Sequence, residues 1–259
     1  MNFGFNFNVL WKHLNSIPRK TARSFKRMKG QYLIGEEETR YGKGYTLITR
    51  TTGFLSRTVL YYRRTEINHI CNQLKNKDNI RILDYGCNTG YLLNIIKNRY
   101  PAKNFELCGA DINPHALSYA RNNYKKATFF DINKDSFEGE KFDFIILSHV
   151  LEHIEERKKL INNLKEKLNK DGALIICVPQ ERIRGDCSLV QIVYNFLRLR
   201  FHNPHLVKIG YKNLDNLLKD NNLKIKDHIY THFLYPFKTK KKRPDSWSLV
   251  ATCKKIPNE

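Results

Sequence analysis

The sequence has no C-x-x-C pair, no long apolar run and no basic lead at its start. Its six cysteines are scattered over 259 residues, a pattern typical of reduced thiols in a cytosolic protein. No stretch approaches the roughly 18–20 apolar residues that span a bilayer, and residues 1–17 lack the basic start of a secretory signal. These absences predict a cytoplasmic protein without a transmembrane helix.

Acidic residues are also scarce: none precedes Glu36, although the same segment holds seven lysines and arginines. Over the whole chain, 46 Lys and Arg face 25 Asp and Glu, a formal charge of +21. Such an excess predicts an anionic partner, which could be nucleic acid, a membrane surface or a metabolite. Lysines that merely solvate the surface explain the average charge equally well. The hydrophobic share of 41% excludes wholesale disorder.

Composition divides the chain into an extension over residues 1–50 and a domain over residues 51–259. The extension places aromatic residues such as Phe3, Phe7 and Trp11 ahead of a basic stretch. This order suits docking on an anionic membrane surface, with the protein peripheral at the inner face of the membrane, and it suits a lid over an active site equally well. A helix is predicted over residues 55–76.

From Ile80 onward, strands and helices alternate, which is typical of a parallel sheet flanked by helices. The fold class is therefore α/β: a doubly wound, mostly parallel seven-stranded sheet with helices on both faces and an antiparallel last strand. Strands are predicted at 80–84, 105–110, 127–130, 142–148, 173–178, 223–231 and 246–253. Helices are predicted near 90–99, 113–123, 149–169, 188–199 and 211–221, with an insertion on the acceptor side at 179–221.

The first strand runs into a glycine-rich turn, ILDYGCNTG, over residues 82–90. A dinucleotide fold needs G-x-G-x-x-G to admit the pyrophosphate. If Gly86 opened that pattern, Asn88 and Tyr91 would occupy the other two glycine positions, which argues against NAD. Gly86 and Gly90 still allow the close backbone approach that a nucleoside without phosphates requires, and Asn88 tolerates a left-handed conformation.

Polar side chains follow the next three strands. Asp111 ends the second strand, where a carboxylate can accept hydrogen bonds from a ribose diol. Asp131 ends the third strand, where an adenine amino group could be read, and Ser148 ends the fourth. Each alone is commonly a helix cap, but their order and spacing together point to one nucleoside site.

These segments resemble the class I, Rossmann-like S-adenosyl-L-methionine-dependent methyltransferases. ILDYGCNTG resembles their glycine motif, GADINPHALSYARNN their acidic motif, and FDFIILSHVLEHI the segment after strand four. The resemblance implies an enzyme whose cofactor is S-adenosyl-L-methionine. Its implied cofactor-binding residues are Asp84, Gly86, Cys87, Asn88, Gly90, Asp111, Ile112, Asp131, Ile132 and Ser148. The departure from the family is Asn88, where a glycine is usual, and we expect only a slight rearrangement of the turn.

The residues after strand four narrow the acceptor chemistry. Ser148-His149-Val150-Leu151 replaces the (N/D)-P-P-(Y/F) signature of amino-group methylation, so an oxygen acceptor deprotonated by histidine or bound to a metal fits better. His149, Glu152 and His153 are predicted to share one helix face, with His205 downstream. Three roles are open for these four residues. They could be structural, one of the histidines (His153, His149 or His205) could be the catalytic base, or all four could bind a divalent metal. The H-x-x-E-H zinc-protease pattern also matches, but it lies in the wrong fold context.

The acceptor itself is predicted only as a class. Residues 178–186, VPQERIRGD, resemble a segment of methyltransferases from bacterial surface-saccharide clusters, which implies O-methylation of a small, saccharide or lipid-linked acceptor. An RNA methyltransferase is the alternative, favoured by the basic cluster 238–243 but lacking a recognisable RNA-binding module. A non-catalytic cofactor-binding protein is a more remote alternative.

Overall fold

The computed structural model describes residues 61–135, 139–180, 209–232 and 235–257, and elements are numbered within these ranges. The helices are α1 (Tyr61–Leu74), α2 (Tyr91–Arg99), α3 (Pro114–Asn123), α4 (Arg157–Glu166) and α5 (Tyr211–Lys219), with a 3₁₀ helix at Leu151–His153. The strands are β1 (Ile80–Tyr85), β2 (Phe105–Asp111), β3 (Thr128–Asp131), β4 (Phe142–Ser148), β5 (Leu168–Pro179), β6 (Leu223–His232), β7 (Lys238–Thr239) and β8 (Ser246–Lys255).

All eight strands form one sheet in the order β3-β2-β1-β4-β5-β8-β6-β7. Strands β1 to β5 pair in parallel, whereas β8 is antiparallel to both of its neighbours, β5 and β6. The doubly wound, mostly parallel fold with an antiparallel last strand is therefore confirmed. The predicted count of seven strands misses β7, which pairs only two residues with the end of β6.

Two apolar layers pack on opposite faces of the sheet because successive side chains of a strand point to opposite sides. Ile82 of β1 joins a buried cluster with α1, α2 and α3. Its neighbour Leu83 joins the cluster formed with α4 and α5. Burying both faces is what allows the central strands to be near-continuous apolar runs, and it holds the strand ends in fixed positions.

The predicted helix over residues 149–169 is wrong. His149 has a left-handed φ of 57°, and only a short 3₁₀ helix follows before Ile154 returns to an extended conformation. Helix α4 starts at Arg157 and ends at Glu166, before the start of β5 at Leu168. His149, Glu152 and His153 therefore lie on a loop and a single 3₁₀ turn, not on one face of a long helix.

Several predictions fall outside the described residues. These are the extension 1–50 with the domain boundary after it, the start of the helix 55–76, the helix 188–199, and His205. Within the part of the chain that the structure describes, no helix combines the length and hydropathy needed to cross a bilayer.

Candidate active site

The carboxyl ends of the parallel strands bring the predicted site residues to one edge of the sheet. Tyr85 at the end of β1 pairs with Ala110 on one side and Leu147 on the other. Asp111 and Asp131 are direct partners at the ends of β2 and β3. Edges of this kind, where the strand order reverses, are where doubly wound sheets bind ligands. Here the order reverses between β1 and β4.

The glycine-rich turn after β1 is built from left-handed residues. Gly86, Asn88 and Gly90 have φ values of 84°, 49° and 74°, so Asn88 adopts the conformation expected of it. The backbone N–H groups of Gly86 and Cys87 both donate to the Ala110 carbonyl, at 2.7 and 3.0 Å. These bonds fasten the turn to β2 and hold its backbone at the edge of the sheet.

Asp111 is positioned by this turn and by the start of α3. One carboxylate oxygen accepts the Asn88 N–H at 2.7 Å and the other accepts the Asn113 N–H at 2.8 Å. Burial raises the pKa of Asp111, although the N–H groups of Asn113, Asn88 and Ile112 oppose that shift. Because a carboxylate offers about four lone-pair sites, the Asp111 carboxylate can still accept a further hydrogen bond, as a ribose hydroxyl would require.

Asp84 and Asp131 differ in their surroundings. Burial raises the pKa of Asp84 to about 7, with Arg63 opposing the shift and Asp111 adding to it. Asp131 instead accepts the Asn133 N–H at 3.0 Å and lies 3.4 Å from the Lys134 ammonium. Its carboxylate thus closes the turn after β3.

The amide of Ile132 in that turn donates to the Asp111 carbonyl at 3.1 Å. The bond places Ile132 directly beside Asp111 at the edge of the sheet. It therefore keeps the predicted adenine-side and ribose-side residues together.

A buried charge network that the sequence analysis missed lies beside the turn. Glu66 of α1 is fully buried, with its carboxylate 2.7 Å from Arg63 Nη1 and 3.1 Å from His149 Nε2. The Ser248 hydroxyl also donates to Glu66, and Arg63 donates to the Ser148 hydroxyl at 3.0 Å. The network connects α1 to the ends of β4 and β8.

Both ring nitrogens of His149 face carboxylates, since Nδ1 lies 3.5 Å from Glu152. Burial alone would lower the pKa of His149, but Glu66 and Glu152 outweigh it and raise the pKa to about 10. Burial would likewise raise the pKa of Glu66, yet His149 and Arg63 lower it to about 2. These two carboxylates stabilise the protonated form of His149, whose ring joins the loop after β4 to α1.

Of the predicted metal ligands, Glu152 lies 3.5 Å from His149 and 4.0 Å from His153. Over the described ranges, no three His, Cys, Asp or Glu side chains form a group that could hold a metal ion. His149 and His153 lie on a loop and a 3₁₀ turn, not on the shared helix face that the prediction assumed. The fourth candidate, His205, lies outside the described residues.

One sequence signal could have revealed Glu66. It lies four residues before Ile70, within the apolar stripe of a helix that is otherwise buried on that face. A carboxylate in such a stripe requires a buried partner. The identity of that partner, 83 residues away, was not visible in the sequence.

A family model described as a methyltransferase domain matches residues 59–228, well over half of the chain. The chain belongs to this methyltransferase domain family. The predicted class I fold and its cofactor, S-adenosyl-L-methionine, are thereby confirmed.

Two curated relatives match parts of this methyltransferase. Malonyl-[acyl-carrier protein] O-methyltransferase of Acetivibrio thermocellus is 30% identical over 104 residues, 39% of this chain and 36% of that protein. Carboxy-S-adenosyl-L-methionine synthase of Wolinella succinogenes is 30% identical over 149 residues, 53% of this chain and 60% of that protein. The chain thus spans between about one third and three fifths of the length of these relatives.

Solved structures share the methyltransferase fold at low sequence identity. The plantazolicin methyltransferase BpumL, in complex with a monoazolic desmethylPZN analog and SAH, matches with a TM-score of 0.57 and 19% identity over 91% of this chain and 98% of that one. Magnesium protoporphyrin IX methyltransferase from Synechocystis PCC 6803, with bound SAH, matches with a TM-score of 0.52 and 18% identity over 74% of this chain and 84% of that one. At this level of sequence identity, both comparisons show a shared fold.

The residues at the edge of the sheet fit this cofactor. Buried Asn88 Oδ1 has no hydrogen-bond partner within the described ranges, and the Asp111 oxygens retain acceptor capacity. Asp84, Gly86, Cys87 and Gly90 would hold the methionine portion, Asp111 with Ile112 the ribose, Asp131 with Ile132 the adenine, and Ser148 would line the edge. The residue roles themselves stay predictions.

We expect cofactor affinity to rise with pH between about 6 and 8. Because the pKa of Asp84 is raised to about 7, the carboxyl is largely protonated below that pH and charged above it. The methionine portion carries an α-ammonium group, which S-adenosylhomocysteine retains and which the ionised carboxylate attracts. Calorimetric titration of S-adenosylhomocysteine across this range should show Kd falling several-fold and then levelling. Asp84→Asn should flatten the profile, and an unchanged Kd for the unmodified protein would contradict the assignment.

Proposed function

We propose that the protein transfers the methyl group of S-adenosyl-L-methionine to an oxygen atom of a small acceptor, of saccharide or lipid-linked type. The observation that carries this proposal is the contact between the loop after β4 and the glycine turn. A Cβ atom at Gly86 would lie only 2.3 Å from Cγ2 of Val150. Glu152 and His153 follow Val150 within three residues, so polar groups for an acceptor stand next to the cofactor turn.

Glu152 supports an acceptor that donates hydrogen bonds. Its side chain is 1% exposed, and neither carboxylate oxygen has a hydrogen-bond partner in the part of the chain that is described. The only neighbours at ion-pair distance there are His149 at 3.5 Å and His153 at 4.0 Å. A buried carboxylate without a hydrogen bond is costly even beside the His149 ring, and a hydroxyl-bearing acceptor would supply a donor.

The chemistry asks little of the protein beyond alignment and proton removal. The bound cofactor supplies an electrophilic methyl group, so the residues of this chain have to orient the acceptor oxygen and accept its proton. His153 is suited to that role because it lies at the end of the 3₁₀ turn beside Glu152 and keeps 22% of its side chain exposed. His149 instead fixes the loop that carries it.

Two observations support oxygen as the acceptor atom. The amino-methylation signature is absent after β4, and one of the curated relatives is named as an O-methyltransferase. The saccharide class rests on residues 178–186, of which 181–186 lie outside the described ranges, as do His205 and the extension 1–50. Membrane docking through that extension, and a cytoplasmic location at the inner membrane face, therefore stay predictions.

Transfer of labelled methyl groups tests the proposal. Purified protein incubated with methyl-labelled cofactor and fractionated cell extract should label the saccharide or lipid-extractable fraction. Asp111→Ala is the matched control: it should weaken cofactor binding by about 1.5–3 kcal/mol, the range for a hydrogen bond to a charged group, and so lower labelling at limiting cofactor. Label found only in RNA would show that the acceptor is RNA and not a saccharide or lipid-linked molecule. Absence of label from every fraction would contradict methyltransferase activity.

A further inference from the structure

Three exposed aromatic residues lie in neighbouring segments of the described surface. Tyr61, Tyr235 and Phe237 expose 45%, 49% and 66% of their area. The rings of Tyr235 and Phe237 stack at 6.2 Å between centroids and 22° between planes. The Thr65 hydroxyl joins the neighbouring backbones, lying 2.9 Å from the Tyr61 carbonyl oxygen and 3.4 Å from that of Pro236.

The same segment is strongly basic. Residues 235–243, named here the basic hairpin, contain Lys238, Lys240, Lys241, Lys242 and Arg243 and no acidic residue. All five basic side chains are exposed. Lys240 pairs with Asp227 of β6, and Lys242 donates to Gln180 Oε1 at 2.9 Å, so the hairpin is tied to the sheet at two points.

The basic hairpin lies at the same edge of the sheet as the cofactor turn. Strand β8 starts at this edge, because Ser248 pairs with Pro179 at the carboxyl end of β5. Strand β6 ends there, because His232 pairs with Ser246. The loop that joins β6 to β7 and β8 therefore projects from the edge at which the site opens.

We infer that the basic hairpin, together with Tyr61, docks the protein on an anionic lipid surface. Aromatic rings of this size favour the boundary between headgroups and acyl chains, and adjacent lysines are attracted to anionic headgroups. Exposing aromatic side chains to water costs free energy, which burial in a lipid surface offsets. An anionic lipid surface also complements the net charge of +21.

A lipid surface explains the geometry better than a nucleic acid does. Single-stranded nucleic acids bind by stacking bases on accessible ring faces. Here Tyr235 and Phe237 stack on each other, which occupies one face of each ring. A bilayer interface requires only their apolar bodies and outer edges. The inference goes beyond the proposed methyl transfer and does not depend on the acceptor, although it would bring the site to any lipid-linked substrate.

Vesicle co-sedimentation of the full chain tests this docking. The protein should pellet with phosphatidylglycerol-containing vesicles at low salt, should be released by high salt, and should stay in the supernatant with phosphatidylcholine alone. Lys238→Gln/Lys241→Gln should lower the partition coefficient by about tenfold or more, given about 1 kcal/mol for each basic residue near the surface. Tyr235→Ser/Phe237→Ser should lower the partition coefficient more than the lysine variant does. The binding that remains should be purely electrostatic, so high salt should abolish it completely.

Matched controls lie at the opposite edge of the sheet. Lys125→Gln/Lys126→Gln removes the same charge from the start of β3, and Ile256→Ser removes an exposed apolar side chain after β8; both should pellet like the unmodified protein. Equal loss in these controls, or unchanged pelleting of the hairpin variants, would overturn the inference and leave another segment as the anchor. Binding of a single-stranded RNA that is lost in the hairpin variants, with no vesicle binding, would also overturn it.

Discussion

Replacing Glu66 by alanine should lower the free energy of unfolding by about 3–5 kcal/mol, the range found when one partner of a buried ion pair is removed. The fully buried carboxylate satisfies Arg63 at 2.7 Å, His149 at 3.1 Å and the Ser248 hydroxyl. Without it, two positive groups remain in the interior without their main counter-charge. Urea unfolding followed by circular dichroism measures the loss. Glu66→Gln keeps the shape and one acceptor oxygen, so its free energy of unfolding should lie between those of Glu66→Ala and the unmodified protein.

The pH dependence of stability supplies a second measurement on the same variant. The pKa of His149 is raised to about 10, so its contribution is complete below the unfolded value of about 6.5 and is lost as pH rises towards 10. The pKa of Glu66 is lowered to about 2, so its contribution is complete above about 4.5 and is lost as pH falls towards 2. Glu66→Ala should remove the acidic slope and reduce the alkaline slope, because Glu152 remains beside His149.

Glu156→Ala is the control for this experiment. Glu156 is 72% exposed and pairs with Lys159 at 3.3 Å on the surface of α4. Exposed pairs contribute little, so this variant should unfold like the unmodified protein at every pH. A Glu66→Ala protein with unmodified stability, or with the same alkaline slope as the unmodified protein, would contradict the buried imidazolium.

Replacing His153 by alanine should reduce methyl transfer by about 10²–10⁴-fold, the contribution typical of a general base. Cofactor affinity should stay almost unchanged, because the turn and Asp111 are held by other contacts. The measurement is the rate of label transfer to the acceptor fraction, beside a direct titration of S-adenosylhomocysteine. A purely structural role would instead lower stability or cofactor affinity together with the rate.

His115→Ala provides the matched control, since His115 is an exposed imidazole in the first turn of α3. It should leave the rate unchanged. His205→Ala extends the test to the other candidate base, which lies outside the described residues. If His153→Ala and His205→Ala both transferred methyl groups at the rate of the unmodified protein, neither histidine would be the base.

The amino-acid sequence by itself determined the main features of the sheet and the cofactor edge. The strand predicted at 142–148 has the bounds that the structure shows. A strand buried on both faces is a nearly continuous apolar run, which can be recognised from the local sequence alone. The turn from Gly86 to Gly90 was likewise readable, since positive φ restricts the residue types there. The added β7 was not, because two paired residues leave no periodic signal.

Tertiary structure alone decided how the loop after β4 is arranged. The apolar spacing of residues 149–169 resembles a helix, but His149 is held left-handed by the Cys177 carbonyl, which accepts its N–H at 2.9 Å, and by the Glu66 carboxylate. Neither partner is near His149 in the sequence. Tertiary structure also decided the direction in which the pKa of His149 shifts, because two carboxylates face its ring. The physical reason is the same in both cases: the conformation and charge of a buried residue depend on groups that only the folded chain brings within hydrogen-bonding distance.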